Sequence, residues 1–240
     1  MRYSYQRVSF SFGGPTTPAV KTLLILNAAV FIIQTISSNV LGFNLEPLFG
    51  LVPYSILHTF FMWQLLTYLF LHGGLLHIGF NLLTLWMFGC ELERVWGSRF
   101  FWKYYLICGI GAGICSVIVN PAGLIPTIGA SGAIYGILLA YGLLFPNRQI
   151  IFYFVFPMKA KHFVLLIGFL AFYSSITAPG SSISNIAHLG GLLVGYCYLR
   201  GWGLIGRVRR RYLEYRSKRT RRKYRVIQGK GGKDQGPYIN

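Results

Sequence analysis

The chain has 240 residues, of which 54% are hydrophobic and only 12% are charged. A soluble domain of this size carries about 25% charged residues, so the composition excludes an ordinary soluble globule and points to a polytopic membrane protein. The formal net charge of +18 raises nucleic acid as a partner, but fourteen of the 23 Lys and Arg lie between Arg200 and Lys233. A basic run directly after an apolar stretch is a topology signal and a contact for anionic lipids, so no nucleic acid is expected.

The first 20 residues are polar and aromatic. They lack the short apolar core and small-residue cleavage site of a signal peptide and read as a cytoplasmic N-terminal arm. Six apolar runs then approach the length needed to cross a bilayer, about 20 residues. They cover approximately 23–41, 75–95, 100–119, 131–145, 162–176 and 185–204. A seventh run, 50–71, contains Pro53, His58 and Gln64. With six spans, all 23 cations fall on one side, as the positive-inside rule requires. Making 50–71 a span divides them, so that run is expected to be a loop half-sunk in the outer leaflet and packed on protein. The apolar segment 150–156 is expected to be a cytoplasmic interfacial stretch. The division is therefore an arm (1–20), an all-α six-span core (21–205) and a basic cytoplasmic tail (206–240). The setting expected for such a core is a prokaryotic plasma membrane with both termini cytoplasmic. The cysteines Cys90, Cys108, Cys115 and Cys197 form no CxxC pair and read as small buried hydrophobes. No metal site or cofactor is implied.

Under this topology spans 2, 4 and 6 all begin on the outer side. Span 2 opens with His77 and Asn81, which are i and i+4 and share a helix face. Span 4 opens with Ser131, and span 6 carries His188 in its first turns. Read alone, Ser131 extends the small face Gly132-xxx-Gly136, a helix-packing pattern repeated at Gly191-xxx-Gly195. A histidine inside a membrane span is costly and is a functional hypothesis by default. Four polar side chains at one depth from three helices favour a site. Span 4 also bears on depth. Ser131 to Phe145 is 15 residues, about 22 Å at ~1.5 Å per residue, against a hydrocarbon core of about 30 Å. Ser131 is thus expected below the outer surface, in a cavity. There His188 is the candidate base for a serine nucleophile. None of the five acids (Glu46, Glu91, Glu93, Glu214, Asp234) is placed to orient His188, which predicts a dyad and not a triad. His77, Asn81 and the backbone N–H of Ser131 are candidate oxyanion donors. A channel or transporter is the rival class, opposed by the absence of an acid in the core and of an inverted repeat.

These residues resemble the rhomboid intramembrane serine proteases from about residue 23 to 204. The Gly-x-Ser-Gly motif is met by Gly129, Ser131 and Gly132, and His-x4-His-x3-Asn by His72, His77 and Asn81. Ala-His-x-x-Gly is met by Ala187, His188 and Gly191, and Gly-x3-Glu-x3-Gly by Gly89, Glu93 and Gly97. The resemblance implies a rhomboid-like six-helix bundle with a membrane-embedded first outer loop. It implies Ser131 as nucleophile, His188 as base, His77 and Asn81 as oxyanion side chains, and Tyr135 stacked on the histidine. His72 and Glu93 become structural. The reaction implied is hydrolysis of peptide bonds in or near transmembrane segments of membrane proteins. Substrate is expected to enter near span 5, where 169–180 loosens into Ser and Gly. Where the family has a Trp-Arg pair in the outer loop, this chain has Trp63-Gln64, which loses a cation. The alternative within the same fold is a non-catalytic membrane protein that binds transmembrane clients.

Overall fold

The computed structural model describes residues 14–152, 156–177, 182–201, 206, 210–215 and 217. Helix α1 (Pro18–Asn39) starts with proline at its first position, where a missing N–H costs nothing, and the other first-turn N–H groups, which the helix itself cannot pair, are met from afar. Glu93 Oε1 accepts from the N–H of Ala19 at 2.8 Å and from the Ser98 hydroxyl at 2.6 Å. Its Oε2 accepts from the N–H of Val20 at 2.9 Å and from the Thr17 hydroxyl. One carboxylate thus caps α1 and ties it to the turn at Gly97, which is the structural role expected of Glu93.

Four short helices follow: α2 (Glu46–Phe49), α3 (Pro53–His58), α4 (Gln64–Thr67) and a 3-10 turn at Tyr68–Phe70. None is long enough to span a bilayer. A second long helix covers Leu75–Trp96. It comprises α5 (Leu75–Thr84), a π-helical turn at Leu85–Gly89 and α6 (Cys90–Trp96). Then come α7 (Ser98–Val119), α8 (Ser131–Leu144), a hairpin of β1 (Gln149–Phe152) and β2 (Phe156–Lys159), α9 (Ala160–Thr177) and α10 (Ser182–Gly201). Among the described residues, four helices are long and apolar enough to cross a membrane: α1, Leu75–Trp96, α7 and α9. With α8, 14 apolar residues, and α10, 20 residues, they make a helical bundle.

The centre is built from α7, α8 and α10, and small residues decide how close they come. A methyl group at Gly191 would overlap the Gly132 carbonyl, and one at Gly136 would meet Cys108 Sγ at 2.5 Å. Tyr104 donates to the Gly136 carbonyl at 2.8 Å across the same seam. The two glycine pairs read as packing patterns therefore face one another, on α8 and α10, in the close backbone approach that small residues permit between membrane helices.

Three expectations need correction. The fold is not purely α, because the stretch expected to be interfacial forms an antiparallel hairpin pairing Gln149 with Lys159 through Phe152 with Phe156. Span 5 does not loosen where expected. It begins at Ala160, directly after β2, and stays helical to Thr177, so Ser174 and Ser175 do not loosen it; 178–180 lie outside the described residues. Cys90 and Cys108 are buried, but Cys197 is exposed on α10.

Candidate functional site

The N-terminus of α8 sits where the 46–71 loop meets the segment leading into Ser131. Leu51 and Thr127 exchange two backbone hydrogen bonds of 2.9 Å, and the N–H of Gly129 donates to the Tyr68 carbonyl at 2.9 Å. Tyr68 in turn donates to the Gly109 carbonyl at 2.6 Å. The loop is thereby stitched to the nucleophile segment on one side and to α7 on the other.

Gln64 holds this loop together. It is fully buried. Its Oε1 accepts from the Val52 N–H at 3.0 Å, and its Nε2 donates to the carbonyls of Pro47 at 3.1 Å and Leu48 at 3.3 Å. Trp63 Nε1 adds a bond to the Leu48 carbonyl at 2.9 Å. A neutral amide, with one acceptor and two donors, matches these three backbone groups without burying a cation. Sequence reasoning registered the missing charge at Gln64 but not this role, because its partners are main-chain atoms that leave no mark in side-chain patterns.

Ser131 Oγ and His188 Nε2 lie 2.7 Å apart, joining the first residue of α8 to α10. A neutral imidazole with its proton on Nδ1 accepts the serine hydroxyl proton in this geometry. Tyr135, one turn below Ser131, stacks on the His188 ring at 4.2 Å between centroids and 3° between planes. That contact fixes the tilt of the imidazole from the face. Glu46 Oε1 accepts from Gln34 at 3.2 Å, Glu91 pairs with Arg148 at 2.6 Å, and Glu93 caps α1. These three acids are engaged elsewhere.

His77 lies beside this pair. Its Nδ1 accepts the Gly73 N–H at 3.3 Å, so the ring proton of a neutral His77 resides on Nε2. That nitrogen points over Gly129, where an added Cβ would stand 2.7 Å from His77 Nε2 and 3.7 Å from Ser131 Oγ. Gly129 also has φ +123°, a backbone state that L side chains rarely adopt. Asn81, one turn further along α5, is 6% exposed, and its Nδ2 has no hydrogen-bond partner among the described residues. A buried donor left unpaired in the fold is costly, and this one is free to serve a group bound beside His77. His72 lies behind His77, with ring centroids 5.1 Å apart in an edge-to-face arrangement. Its backbone N–H donates to Gln34 Oε1 at 3.0 Å, and its Nδ1 lies 3.2 Å from the Phe70 carbonyl. Burial, helped by the neighbouring His77, pushes the His72 imidazole down to about 4. Ser131, His188, Tyr135, His77, Gly129 and Gly132 thus meet at one end of the bundle, with Asn81 one turn from His77 and His72 as support beneath it. A serine hydroxyl within hydrogen-bond reach of an imidazole, beside N–H donors, is an arrangement suited to acyl transfer.

Comparison with known proteins returns a Rhomboid domain family match over residues 59–205. The chain is 34% identical over 199 residues to the Rhomboid protease GluP of Bacillus subtilis, covering 81% of this chain and 36% of that protein. It is 33% identical over 138 residues to Rhomboid protein 1, mitochondrial, of Saccharomyces cerevisiae, covering 55% of this chain and 39% of that one. It is 29% identical over 189 residues to RHOMBOID-like protein 2 of Arabidopsis thaliana, covering 77% and 56%. The chain thus spans about a third to just over half of the length of these relatives.

Proposed function

Since the chain belongs to the rhomboid family of integral membrane proteins, we propose that it is an intramembrane serine endopeptidase working through a Ser131–His188 dyad. The observation that carries this reading is the 2.7 Å approach of Ser131 Oγ to His188 Nε2. Ser131 Oγ attacks the scissile carbonyl while His188 Nε2 takes its proton. The resulting oxyanion draws on the Nε2–H of His77, the Nδ2–H of Asn81 and the N–H of Ser131 at the start of α8. Collapse expels the amine, which takes the proton from His188. Water, deprotonated by the same imidazole, then hydrolyses the acyl-enzyme and restores the serine. Tyr135 keeps the ring aligned through both proton transfers, in place of a carboxylate.

The substrates of this reading are transmembrane segments of other membrane proteins. The proposed topology has six spans: α1, Leu75–Trp96, α7, α8, α9 and α10, with 46–71 as the embedded outer loop. Both termini are cytoplasmic, the basic tail 206–240 contacts anionic lipids, and 21–205 is the protease domain between that tail and the 1–20 arm. The short α8 supports a recessed nucleophile, since 14 residues give about 21 Å of helix.

The test is cleavage of a quenched fluorogenic transmembrane peptide by the purified chain, beside Ser131→Ala and His188→Ala. Turnover lost in both variants supports the dyad. Turnover retained in Ser131→Ala overturns the choice of nucleophile. A folded wild-type chain that cleaves no peptide of a panel favours the client-binding alternative.

A further inference from the structure

The β1–β2 hairpin lies at the end of the bundle remote from the dyad and takes no part in the proposed chemistry. Its base is firmly held. The N–H of Ala160 donates to the Arg148 carbonyl at 2.8 Å, and that of Lys161 to the Pro146 carbonyl at 3.2 Å. Arg148 itself pairs with Glu91 at 2.6 Å, and Glu91 Oε2 accepts from Tyr141 at 2.9 Å. The register places Ile150 opposite Met158, and Phe156, two residues before Met158, shares that face of the ribbon. At the base that face packs on the bundle, with Ile150 8% exposed and part of the core. Two residues from Met158 the same face emerges from the bundle, and Phe156 is 64% exposed.

Three observations identify what covers it. First, β2 passes into α9 without a linker, and α9 is apolar and long enough to cross a membrane. A four-residue strand reaches about 13 Å, and the interfacial zone on each side of a bilayer is about 5–8 Å deep. The hairpin therefore starts at the membrane surface: upright, its tip would just clear the interfacial zone, and lying along the surface it stays within it. Second, the sequence from Gln149 to Met158 carries no charge and includes Phe152, Tyr153, Phe154 and Phe156, the composition of segments that settle at the membrane interface. Third, the cations stand at its foot. Lys159 and Lys161 are exposed, and among the described residues neither forms an ion pair, Glu91 being taken by Arg148. An isolated two-stranded hairpin is marginal in water, so an apolar face that outruns the protein needs another surface.

We propose that this hairpin is a lipid-docking element: its Ile150/Phe156/Met158 face lies on the bundle at the base and enters the headgroup–acyl boundary at Phe156, with Lys159 and Lys161 over anionic headgroups. It anchors the start of α9, which has the least buried of the four candidate spans, 11% against 28–44% for the others.

The test places a solvatochromic unnatural amino acid at Phe156 in the full chain, reconstituted in vesicles of phosphatidylcholine with or without phosphatidylglycerol. The same probe at Phe169, 61% exposed on α9, serves as the membrane reference. The expected result is blue-shifted emission at 156, lost on adding lipids brominated near the headgroup end of the chain and protected from aqueous iodide. The effect should be stronger with phosphatidylglycerol, and Lys159→Gln/Lys161→Gln should remove that difference. Red-shifted, iodide-quenched emission at 156 beside a shielded 169 overturns the docking. Equal behaviour in both vesicle types overturns the assignment of the two lysines. Phe156 is far from Ser131, and the readout needs no turnover, so this test and the test of the dyad fail separately.

Discussion

Replacing Gly129 by alanine probes the oxyanion side of the site with one methyl group. Its Cβ would stand 2.7 Å from His77 Nε2 and 2.9 Å from Cε1, whereas ordinary contact begins at 3.4 Å. His77 must retreat by about 0.7 Å, or the segment before Ser131 must shift, and Gly129 is held there by its bond to the Tyr68 carbonyl. A misplacement of this order in a catalytic constellation costs about 10²-fold in rate, close to the loss of one oxyanion donor, about 10²–10³-fold. The rare φ of +123° adds about 1–3 kcal/mol of backbone strain. We therefore expect Gly129→Ala to lower kcat about 10²-fold with KM little changed, and to lower Tm. The decisive experiment is a double-mutant cycle on peptide cleavage. If the methyl group acts through His77, its kcat penalty should vanish in a His77→Ala background. A Gly129→Ala protein with wild-type kcat, or a penalty undiminished without His77, refutes the reasoning.

Other sites yield sharper tests of structure than of rate. Gln64→Leu strands the Val52 N–H and the carbonyls of Pro47 and Leu48; it should destabilise by about 2–4 kcal/mol in chemical denaturation, and Gln64→Glu, lacking the N–H donors, should not rescue it. Glu93→Ala removes the acceptor for four donors and should cost about 2–4 kcal/mol in the same assay, while Ser131 stays reactive below the melting transition. Tyr135→Phe should keep the stack on His188 and its kcat, whereas Tyr135→Ala should lose about three- to tenfold, the worth of one aromatic contact. His72, pushed down to about 4 by burial and by His77, stays neutral in the fold over a range where the unfolded chain, near 6.5, takes up a proton. Its contribution is thus present above about 6.5 and is lost as pH falls toward 4. A His72→Gln chain should show a shallower loss of thermal stability across that window.

The site was legible in the sequence because its members announce themselves. Ser131, His188, His77 and Asn81 are polar groups in apolar helices, and the six-span topology puts the first turns of their helices near one depth. What holds them was not legible. Gln64 bonds main-chain atoms 12–17 residues away in sequence, and the pairing of Leu51 with Thr127 joins two irregular segments. Neither leaves a periodic trace. The clearance between Gly129 and His77 is likewise a three-dimensional fact, and the motif indicates the glycine without the reason for it. The hairpin escaped because 149–159 has neither a two-residue periodicity of polar and apolar groups nor a Gly, Asn or Asp anywhere within it. The helices themselves were found to within a few residues, since burial in a bundle and in lipid both demand long apolar runs.

The protease activity proposed for this chain rests on Ser131 being a nucleophile activated by His188. The most direct measurement is reaction of the purified chain with a fluorophosphonate, followed by intact mass and peptide mapping, in the wild type and in His188→Ala. One adduct per chain is expected, located on Ser131, with its loss or strong slowing in the absence of His188. A folded wild-type chain that takes up no adduct, or takes it up at another residue, would contradict this role of Ser131.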